Sequence, residues 1–289
     1  MTNLSHARSA ARQSRRGSAR TFTAAVSAAA LLSGLLLLHT PAGASETAAA
    51  APVVTAAVPQ QASARPTEKG FLLRTITLDD TEHRYIAFVP PSYDPAKKWP
   101  VIVFLNGAGE CGTDGFKQAA VGLGSAVMQN AEKWPYVILF PQKPTRQTRW
   151  LDHDALVLGV LDKALSEWSL DPNRVYLTGL SQGGFGTWDI GSKHPERFAA
   201  LAPICGGASN PAALAALKDM PIRVFHGEAD PTVPVERSKA AVEGVKAAGG
   251  GANVTLTTYP GVGHNSWDKA YRDEGLWEWF LTHEKKAKP

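Results

Sequence analysis

Short, continuous apolar runs alternate with stretches of helical periodicity from residue 71 to the end of the chain. Such runs are typical of strands buried on both faces of a sheet, and apolar residues spaced by three and four indicate helices packed on it. The predicted strands are 71–78, 85–90, 99–107, 136–141, 174–179, 198–205, 222–227 and 254–260. The predicted helices are 155–168, 182–193, 235–248 and 271–285. This order predicts an α/β protein with a mostly parallel central sheet and helices on both faces.

The N-terminal residues follow a different pattern. Residues 1–44 contain five arginines and no acidic residue, with an apolar stretch over 22–39 and the small residues Ala42-Gly43-Ala44 at the end. These are the parts of a secretory signal peptide. The apolar stretch contains serine and glycine and is shorter than a membrane span of ~20 residues, so we expect secretion without stable membrane insertion. Residues 45–66, rich in Ala and Pro, are predicted to be a flexible spacer, and 67–289 a single catalytic domain.

The positive charge of the chain lies in that leader. The whole chain has 30 basic and 26 acidic residues, a formal net charge of +4 at pH 7. Without residues 1–44, 25 basic residues remain against 26 acidic ones. The remaining chain therefore has no electrostatic bias toward phosphate, and no nucleic-acid partner is expected.

The chain has two cysteines, Cys111 and Cys205. In an exported protein they could form a disulfide. A small buried apolar residue and a loop thiol are the other interpretation. The sequence leaves both open, and it leaves the oligomeric state open as well.

Residues 179–184, Gly-Leu-Ser-Gln-Gly-Gly, connect a predicted strand to a predicted helix. Ligands bind at the carboxyl ends of the strands in sheets of this kind. A sharp turn at this point needs small neighbours, which Gly179, Gly183 and Gly184 provide. The pattern G-x-S-x-G between a strand and a helix is the nucleophile elbow, which presents the hydroxyl of Ser181 to a substrate. A glycine-rich turn with Ser181 as a helix cap is the alternative for this stretch alone.

A serine hydroxyl needs a base, and the base needs an acid that orients it. In this architecture the order along the chain is Ser, Asp, His, each at a strand end. Asp230 follows strand 222–227, and His264 follows strand 254–260. Three suitable residues in the required order predict a Ser181–His264–Asp230 triad.

Other acids and histidines compete for these roles. Glu228 is the rival acid, because it lies in the same loop as Asp230. Asp152, His153 and Asp154 precede a predicted helix and are interpreted as its capping and first-turn residues. His226 is interpreted as local packing.

Acyl transfer passes through an oxyanion that needs preorganised donors. The backbone N–H of Gln182, directly after the nucleophile, is one predicted donor. The loop after the third predicted strand provides the other. In that loop the N–H of Ala108 is the first choice and that of Gly107 the second.

With these residues identified, the chain resembles secreted α/β-hydrolases of the esterase type. It is most similar to the single-domain enzymes grouped with feruloyl esterases, polyhydroxyalkanoate depolymerase-like proteins and serine peptidase-like proteins. The resemblance extends from about Phe71 to the C terminus and is most specific at 171–207 and 226–234. It implies the α/β-hydrolase fold, with Ser181, Asp230 and His264 as nucleophile, acid and base.

Two positions depart from the usual pattern of that group. Asn106-Gly107 stands where the group usually has His-Gly in the oxyanion loop. Gln182 stands where methionine often follows the nucleophile. The geometry of the oxyanion donors and the shape of the pocket are therefore the properties on which the resemblance is least informative.

The leading functional prediction is hydrolysis of small or polymer-linked carboxylic esters through an acyl-serine intermediate. Peptide hydrolysis by the same triad and a non-catalytic binding protein are the alternatives. No cofactor or metal is expected, because the histidines are scattered and no glycine-rich dinucleotide fingerprint follows the first strand. Trp150 and Trp267 are each interpreted as either a wall of the substrate cleft or a core residue.

Overall fold

The computed structural model describes residues 66–285. The predicted signal peptide, 1–44, and all but the last residue of the predicted spacer, 45–66, lie outside the described residues. Eight strands form one sheet. They are β1 (Gly70–Leu78), β2 (Thr81–Val89), β3 (Trp99–Leu105), β4 (Val137–Pro141), β5 (Leu170–Leu180), β6 (Ala200–Ile204), β7 (Ile222–Gly227) and β8 (Val254–Tyr259).

The strand order across the sheet is β1-β2-β4-β3-β5-β6-β7-β8. Strands β1 and β2 form an antiparallel hairpin, and β2 pairs antiparallel with β4. The other neighbours pair in parallel. All parallel strands therefore end at the same edge of the sheet, where the loops after β3, β4, β5, β7 and β8 can meet. The predicted mostly parallel sheet is confirmed.

Six α-helices are described within 66–285. They are α1 (Leu123–Gln129), α2 (Asp154–Glu167), α3 (Gln182–Lys193), α4 (Glu236–Val245), α5 (Trp267–Arg272) and α6 (Leu276–Leu281). Helices α2, α3 and α4 contribute to one apolar core, and α1, α5 and α6 to a second. On β3, Val101, Val103 and Leu105 face the first core, while Ile102 and Phe104 face the second. Helices thus cover both faces of a sheet whose strands are apolar on both sides, as predicted.

The C-terminal helix predicted over 271–285 is wrong. The structure has two short helices there, α5 and α6, separated at Asp273–Gly275, and Gly275 takes a left-handed φ of 62°. Helix α1, in the long connection between β3 and β4, was not predicted. Its apolar residues Leu123, Ala126 and Val127 have helical spacing, but seven residues are too short a stretch for that period to stand out. Within residues 66–285, no helix has the length and apolar character needed to cross a membrane.

Candidate active site

Ser181 lies between β5, which ends at Leu180, and α3, which begins at Gln182. Its backbone has φ 55° and ψ −117°, a conformation that a residue with a side chain rarely adopts. The backbone N–H of Ser181 donates to the carbonyl of Ile204 at 3.0 Å and lies 3.3 Å from Cys205 Sγ. These contacts with the end of β6 hold the strained turn in place.

The glycines around Ser181 have the steric role that the sequence predicted. A Cβ atom at Gly183 would lie 1.9 Å from the carbonyl oxygen of Leu105, and one at Gly184 would lie 2.2 Å from that of Ile204. Because both neighbours are backbone atoms of adjacent strands, they cannot move aside. Helix α3 can therefore start directly above the sheet only with glycine at these positions.

The structure brings Ser181, His264 and Asp230 into one hydrogen-bonded row. His264 Nε2 lies 2.9 Å from Ser181 Oγ, and His264 Nδ1 lies 2.7 Å from Asp230 Oδ2. Asp230 is in the loop after β7, and His264 is in the loop after β8. Since Asp230 accepts from Nδ1, the Nε2 atom of a neutral imidazole is the acceptor that faces the serine hydroxyl.

The Asp230 side chain is fully buried. Its Oδ1 accepts hydrogen bonds from the backbone N–H groups of Thr232 and Val233 at 2.8 and 2.9 Å. Burial alone would raise the pKa of Asp230, but the hydrogen bonds from His264, Val233 and Thr232 outweigh it and lower the pKa below its usual value. Asp230 is therefore a carboxylate at neutral pH.

His226 is a second histidine in contact with Asp230, and sequence reasoning missed this. Its Nε2 lies 3.2 Å from Asp230 Oδ2 and 2.8 Å from the carbonyl of Val233. Its Nδ1 lies 2.7 Å from the Ser238 hydroxyl. Burial lowers the pKa of His226, so the ring is neutral at pH 7 with its proton on Nε2, between two acceptors. The packing role predicted for His226 thus includes holding the carboxylate of Asp230.

The rival acids lie elsewhere. Glu228 is exposed, and it accepts a hydrogen bond from the Thr258 hydroxyl at 2.7 Å. Asp152 accepts from the backbone N–H of Arg149 and so caps the short helical turn before α2. Asp154 is the first residue of α2 and lies 2.8 Å from His194 Nε2. The first-turn interpretation is confirmed for Asp154. The capping interpretation is wrong for α2, because its N-cap is His153, whose side chain makes no capping hydrogen bond.

Ala108 and Gln182 both begin a helix. Gln182 is the first residue of α3, and Ala108 is the first residue of a single 3₁₀ turn, Ala108–Glu110. The N–H groups at the start of a helix have no carbonyl partner within it, so both are free to bind an oxyanion. The loop also approaches the nucleophile closely, because a Cβ atom at Gly107 would lie 3.5 Å from Ser181 Cβ.

Glu110 separates the two alternatives for the second donor. Its carboxylate folds back over the loop, 3.0 Å from a Cβ position at Gly107. Burial raises the pKa of Glu110, and the backbone N–H groups of Glu110 and Gly107 oppose that rise by donating to the carboxylate. The Glu110 carboxylate thus lies beside Gly107, the second-choice donor, which favours the N–H of Ala108, the first choice.

Asn106 holds the oxyanion loop, where the sequence departs from its relatives. The side chain is buried, and its Nδ2 donates to the carbonyl of Gly107 at 2.6 Å. Its Oδ1 accepts from the backbone N–H of Lys143 at 3.2 Å, and its carbonyl accepts from Trp150 Nε1 at 2.9 Å. Hydrogen bonds of Asn106 thus connect this loop to Lys143, which follows β4, and to Trp150, which precedes α2.

Both tryptophans of interest lie near the site. Trp150 is buried, and it also lines a cavity of about 150 Å³ beside Gln182 and Phe185, with Asp189 and Ser209 at its far side. It is therefore a core residue that also lines a cavity next to the residue after Ser181. Trp267 is half-buried and meets the His264 ring edge to face at 5.3 Å, so it flanks the site.

Cys111 and Cys205 are both free thiols in the structure, so the disulfide interpretation is not supported. Within residues 66–285, one group of metal-ligand side chains has its ligand atoms within 4.8 Å of one another: Cys205, Asp230 and His264. This group fits a cation poorly. The facing atoms of Asp230 and His264 bond each other at 2.7 Å, and burial raises the pKa of the Cys205 thiol well above its usual value.

The sequence profile of the phospholipase/carboxylesterase family matches residues 126–273, about half of the chain. This range contains all three residues of the hydrogen-bonded row. The chain belongs to this family, and its fold is the α/β-hydrolase fold.

Individual relatives agree with this assignment. Poly(3-hydroxyalkanoate) depolymerase C of Paucimonas lemoignei is 29% identical over 131 residues, which are 40% of this chain and 30% of that protein. Acyl-protein thioesterase 1 of Gibberella zeae is 33% identical over 102 residues, 33% of this chain and 43% of the relative. The chain thus spans less than half the length of these curated relatives.

Solved structures match over a longer range. A thermostable esterase is 36% identical with a TM-score of 0.66, covering 74% of this chain and 63% of that one. The feruloyl esterase module from Clostridium thermocellum has a TM-score of 0.60 at 16% identity, over 76% of this chain and 90% of the module. At that identity the second match describes the fold alone.

Proposed function

We propose that this chain is an exported serine hydrolase that cleaves carboxylic esters through an acyl-serine intermediate. The observation that carries the proposal is the row Ser181 Oγ–His264 Nε2, 2.9 Å, and His264 Nδ1–Asp230 Oδ2, 2.7 Å. Both distances are those of strong hydrogen bonds, with the base already at the nucleophile. The family assignment and the esterases among its relatives point to the same chemistry.

In the first half-reaction Ser181 Oγ attacks the ester carbonyl carbon while His264 Nε2 takes the hydroxyl proton. Asp230 stabilises the imidazolium that forms. The carbonyl oxygen becomes an oxyanion, which the N–H groups of Gln182 and Ala108 receive. His264 then gives its proton to the leaving alcohol as the C–O bond breaks. In the second half-reaction water attacks the acyl-serine while His264 takes a proton from the water. His264 then returns a proton to Ser181 Oγ as the acyl C–O bond breaks, which releases the carboxylic acid and restores the serine hydroxyl.

The decisive experiment compares Ser181→Ala with Ser192→Ala. Ser192 lies on the same helix, and its hydroxyl donates only to the carbonyl of Asp189, at 3.1 Å. Hydrolysis of p-nitrophenyl butyrate should fall by roughly 10³-fold or more in Ser181→Ala and stay unchanged in Ser192→Ala. A fluorophosphonate should label Ser181 in the wild type. Retained turnover in Ser181→Ala would exclude the mechanism.

The same purified protein can be used to distinguish esterase activity from the two alternative functions, peptide hydrolysis and non-catalytic binding. A peptide p-nitroanilide tests the peptidase interpretation, because amide cleavage needs the same triad with a poorer leaving group. A folded protein that neither turns over esters nor forms a phosphonate adduct would support the binding-protein interpretation. We expect ester turnover to exceed amide turnover.

Export and the domain division complete the proposal. They are supported by the pattern of residues 1–44 and the composition of 45–66. N-terminal sequencing of protein recovered from the culture medium should find Ser45 as the first residue. An intact leader on that protein would contradict this part of the proposal.

A further inference from the structure

Lys143 is a fully buried lysine at the carboxyl end of β4. Within residues 66–285 its ammonium forms no ion pair with a carboxylate. Asp152, the acid whose charge acts on it, pairs instead with Arg149 at 2.8 Å. Burial lowers the pKa of Lys143 below its usual value, and the nearby Cys111 and Asp152 oppose that shift. Burying an unpaired charge costs several kcal/mol, so stability alone does not explain a lysine at this position.

The polar partners of Lys143 lead to the proposed nucleophile. Its Nζ donates to Gln182 Oε1 at 2.7 Å and to the carbonyl of Thr148. Gln182 Nε2 in turn donates to the carbonyl of Arg146 at 3.0 Å. Both ends of the Gln182 side chain are thus bonded to the loop after β4. Gln182 is the residue after Ser181, and its backbone N–H is the donor proposed above for the oxyanion.

The same lysine also contacts the second oxyanion loop. Its backbone N–H donates to Asn106 Oδ1 at 3.2 Å, and its carbonyl accepts from Gly112 N–H at 2.9 Å. Lys143 therefore connects the nucleophile elbow with the loop that carries Ala108. Strands β4, β3 and β5 are neighbours in the sheet, which places these three strand ends side by side.

We propose that Lys143 is a positioning residue for acyl transfer, which fixes the Gln182 N–H and places a buried positive charge beside the forming oxyanion. This inference rests on the proposed function. A preorganised charge in a site with little water favours the anionic tetrahedral state over the neutral ester.

Lys143→Met and Gln182→Glu test the two parts of the inference. The first removes the charge and keeps a side chain of similar length. The second keeps the acceptor for Lys143 and offsets its charge, but it loses the donor to the Arg146 carbonyl. Each should lower kcat for p-nitrophenyl butyrate about 10- to 100-fold and leave KM within about twofold, since the lost interaction develops only in the transition state. Lys117→Met, which changes an exposed lysine, is the matched control.

Inhibitor binding distinguishes positioning from a structural role. A boronic acid that forms a tetrahedral adduct on Ser181 should bind Lys143→Met more weakly by the factor lost in kcat/KM. A neutral amide analogue of the ester should bind both proteins alike. Circular dichroism and melting curves check folding, and if Lys143→Met does not fold, Gln182→Glu carries the test with the same inhibitors.

Two results would overturn the inference. One is a kcat within twofold of the wild type in a folded Lys143→Met or Gln182→Glu variant. The other is an equal loss of affinity for the boronic acid and the amide. If either result is found and Ser181→Ala is inactive, only the role of Lys143 is refuted. If Ser181→Ala is active, the serine mechanism itself is refuted.

Discussion

His264 Nε2 lies 2.9 Å from Ser181 Oγ although 83 residues separate them in the chain. Ser181 follows β5 and His264 follows β8, and two strands, β6 and β7, lie between β5 and β8 in the sheet. The loop after β8 therefore extends back across the edge of the sheet to reach the nucleophile. Asp230, in the loop after β7, supports it from the other side at 2.7 Å.

The first prediction concerns the acid. Asp230→Asn should lower kcat by about 10³- to 10⁴-fold, because the asparagine no longer favours the tautomer with its proton on Nδ1 and no longer stabilises the imidazolium. Glu228→Gln, in the same loop, should leave kcat unchanged, since Glu228 contacts Thr258. Steady-state ester kinetics check both. The opposite ranking of the two variants would assign the acid to Glu228.

The second prediction concerns pH and stability. The pKa of Asp230 is lowered in the folded protein relative to its usual value of 3.8. Its stabilising contribution is therefore fully present above that value and is lost as the pH falls through the folded pKa. Between pH 5 and pH 3, the gap in unfolding free energy between the wild type and Asp230→Asn should narrow. Urea denaturation measures it, and a gap that widens toward pH 3 would mean that the sign of the shift is wrong.

The third prediction concerns His226. His226→Phe removes the donor to Val233 and Asp230 and leaves the buried Ser238 hydroxyl without its imidazole partner. We expect a loss of about 1–3 kcal/mol in unfolding free energy. We also expect a fall in kcat smaller than that of Asp230→Asn, because the bond between His264 and Asp230 remains. A variant as stable as the wild type would show that the contacts of His226 contribute little.

The fourth prediction concerns substrate size. The cavity beside Gln182 has a volume of about 150 Å³, roughly that of a site for one benzene-sized group. Acetyl and butyryl esters should therefore be better substrates than octanoyl esters. Phe185→Ala enlarges the cavity and should raise the relative kcat/KM for octanoate. Phe116→Ala, an exposed phenylalanine elsewhere, should not. An unchanged chain-length profile in Phe185→Ala would place the substrate outside this cavity.

The fifth prediction concerns the thiols. Cys111 is half-buried and Cys205 is buried, and neither is bonded to the other. A thiol reagent applied without reductant should detect two thiols after denaturation and no more than one, Cys111, in the native protein. Detection of no thiols after denaturation would indicate a disulfide.

Most of the strands and three of the longer helices could be predicted from the sequence. A strand buried on both faces is a continuous apolar run, and a helix buried along one stripe has apolar residues spaced by three and four. The places of Ser181, Asp230 and His264 followed for the same reason: each comes directly after a recognisable strand. Where the pattern was ambiguous the prediction failed, as at the C-terminal helix. There the apolar period in the sequence continues past Gly275, but the left-handed backbone of Gly275 lies between α5 and α6 and so prevents one continuous helix.

The contacts between strand ends left no such pattern. Nothing in the neighbourhood of Lys143 indicates that its ammonium meets Gln182, 39 residues away. Equally little in the sequence indicates the second contact of Asp230, with His226, or the Glu110 carboxylate beside Gly107. Local apolar periodicity reports which residues are buried, whereas these pairings depend on which strands become neighbours and how their loops fold over the edge. The elements and the three residues of the hydrogen-bonded row could therefore be predicted along the chain, whereas the contacts around them depend on long-range packing.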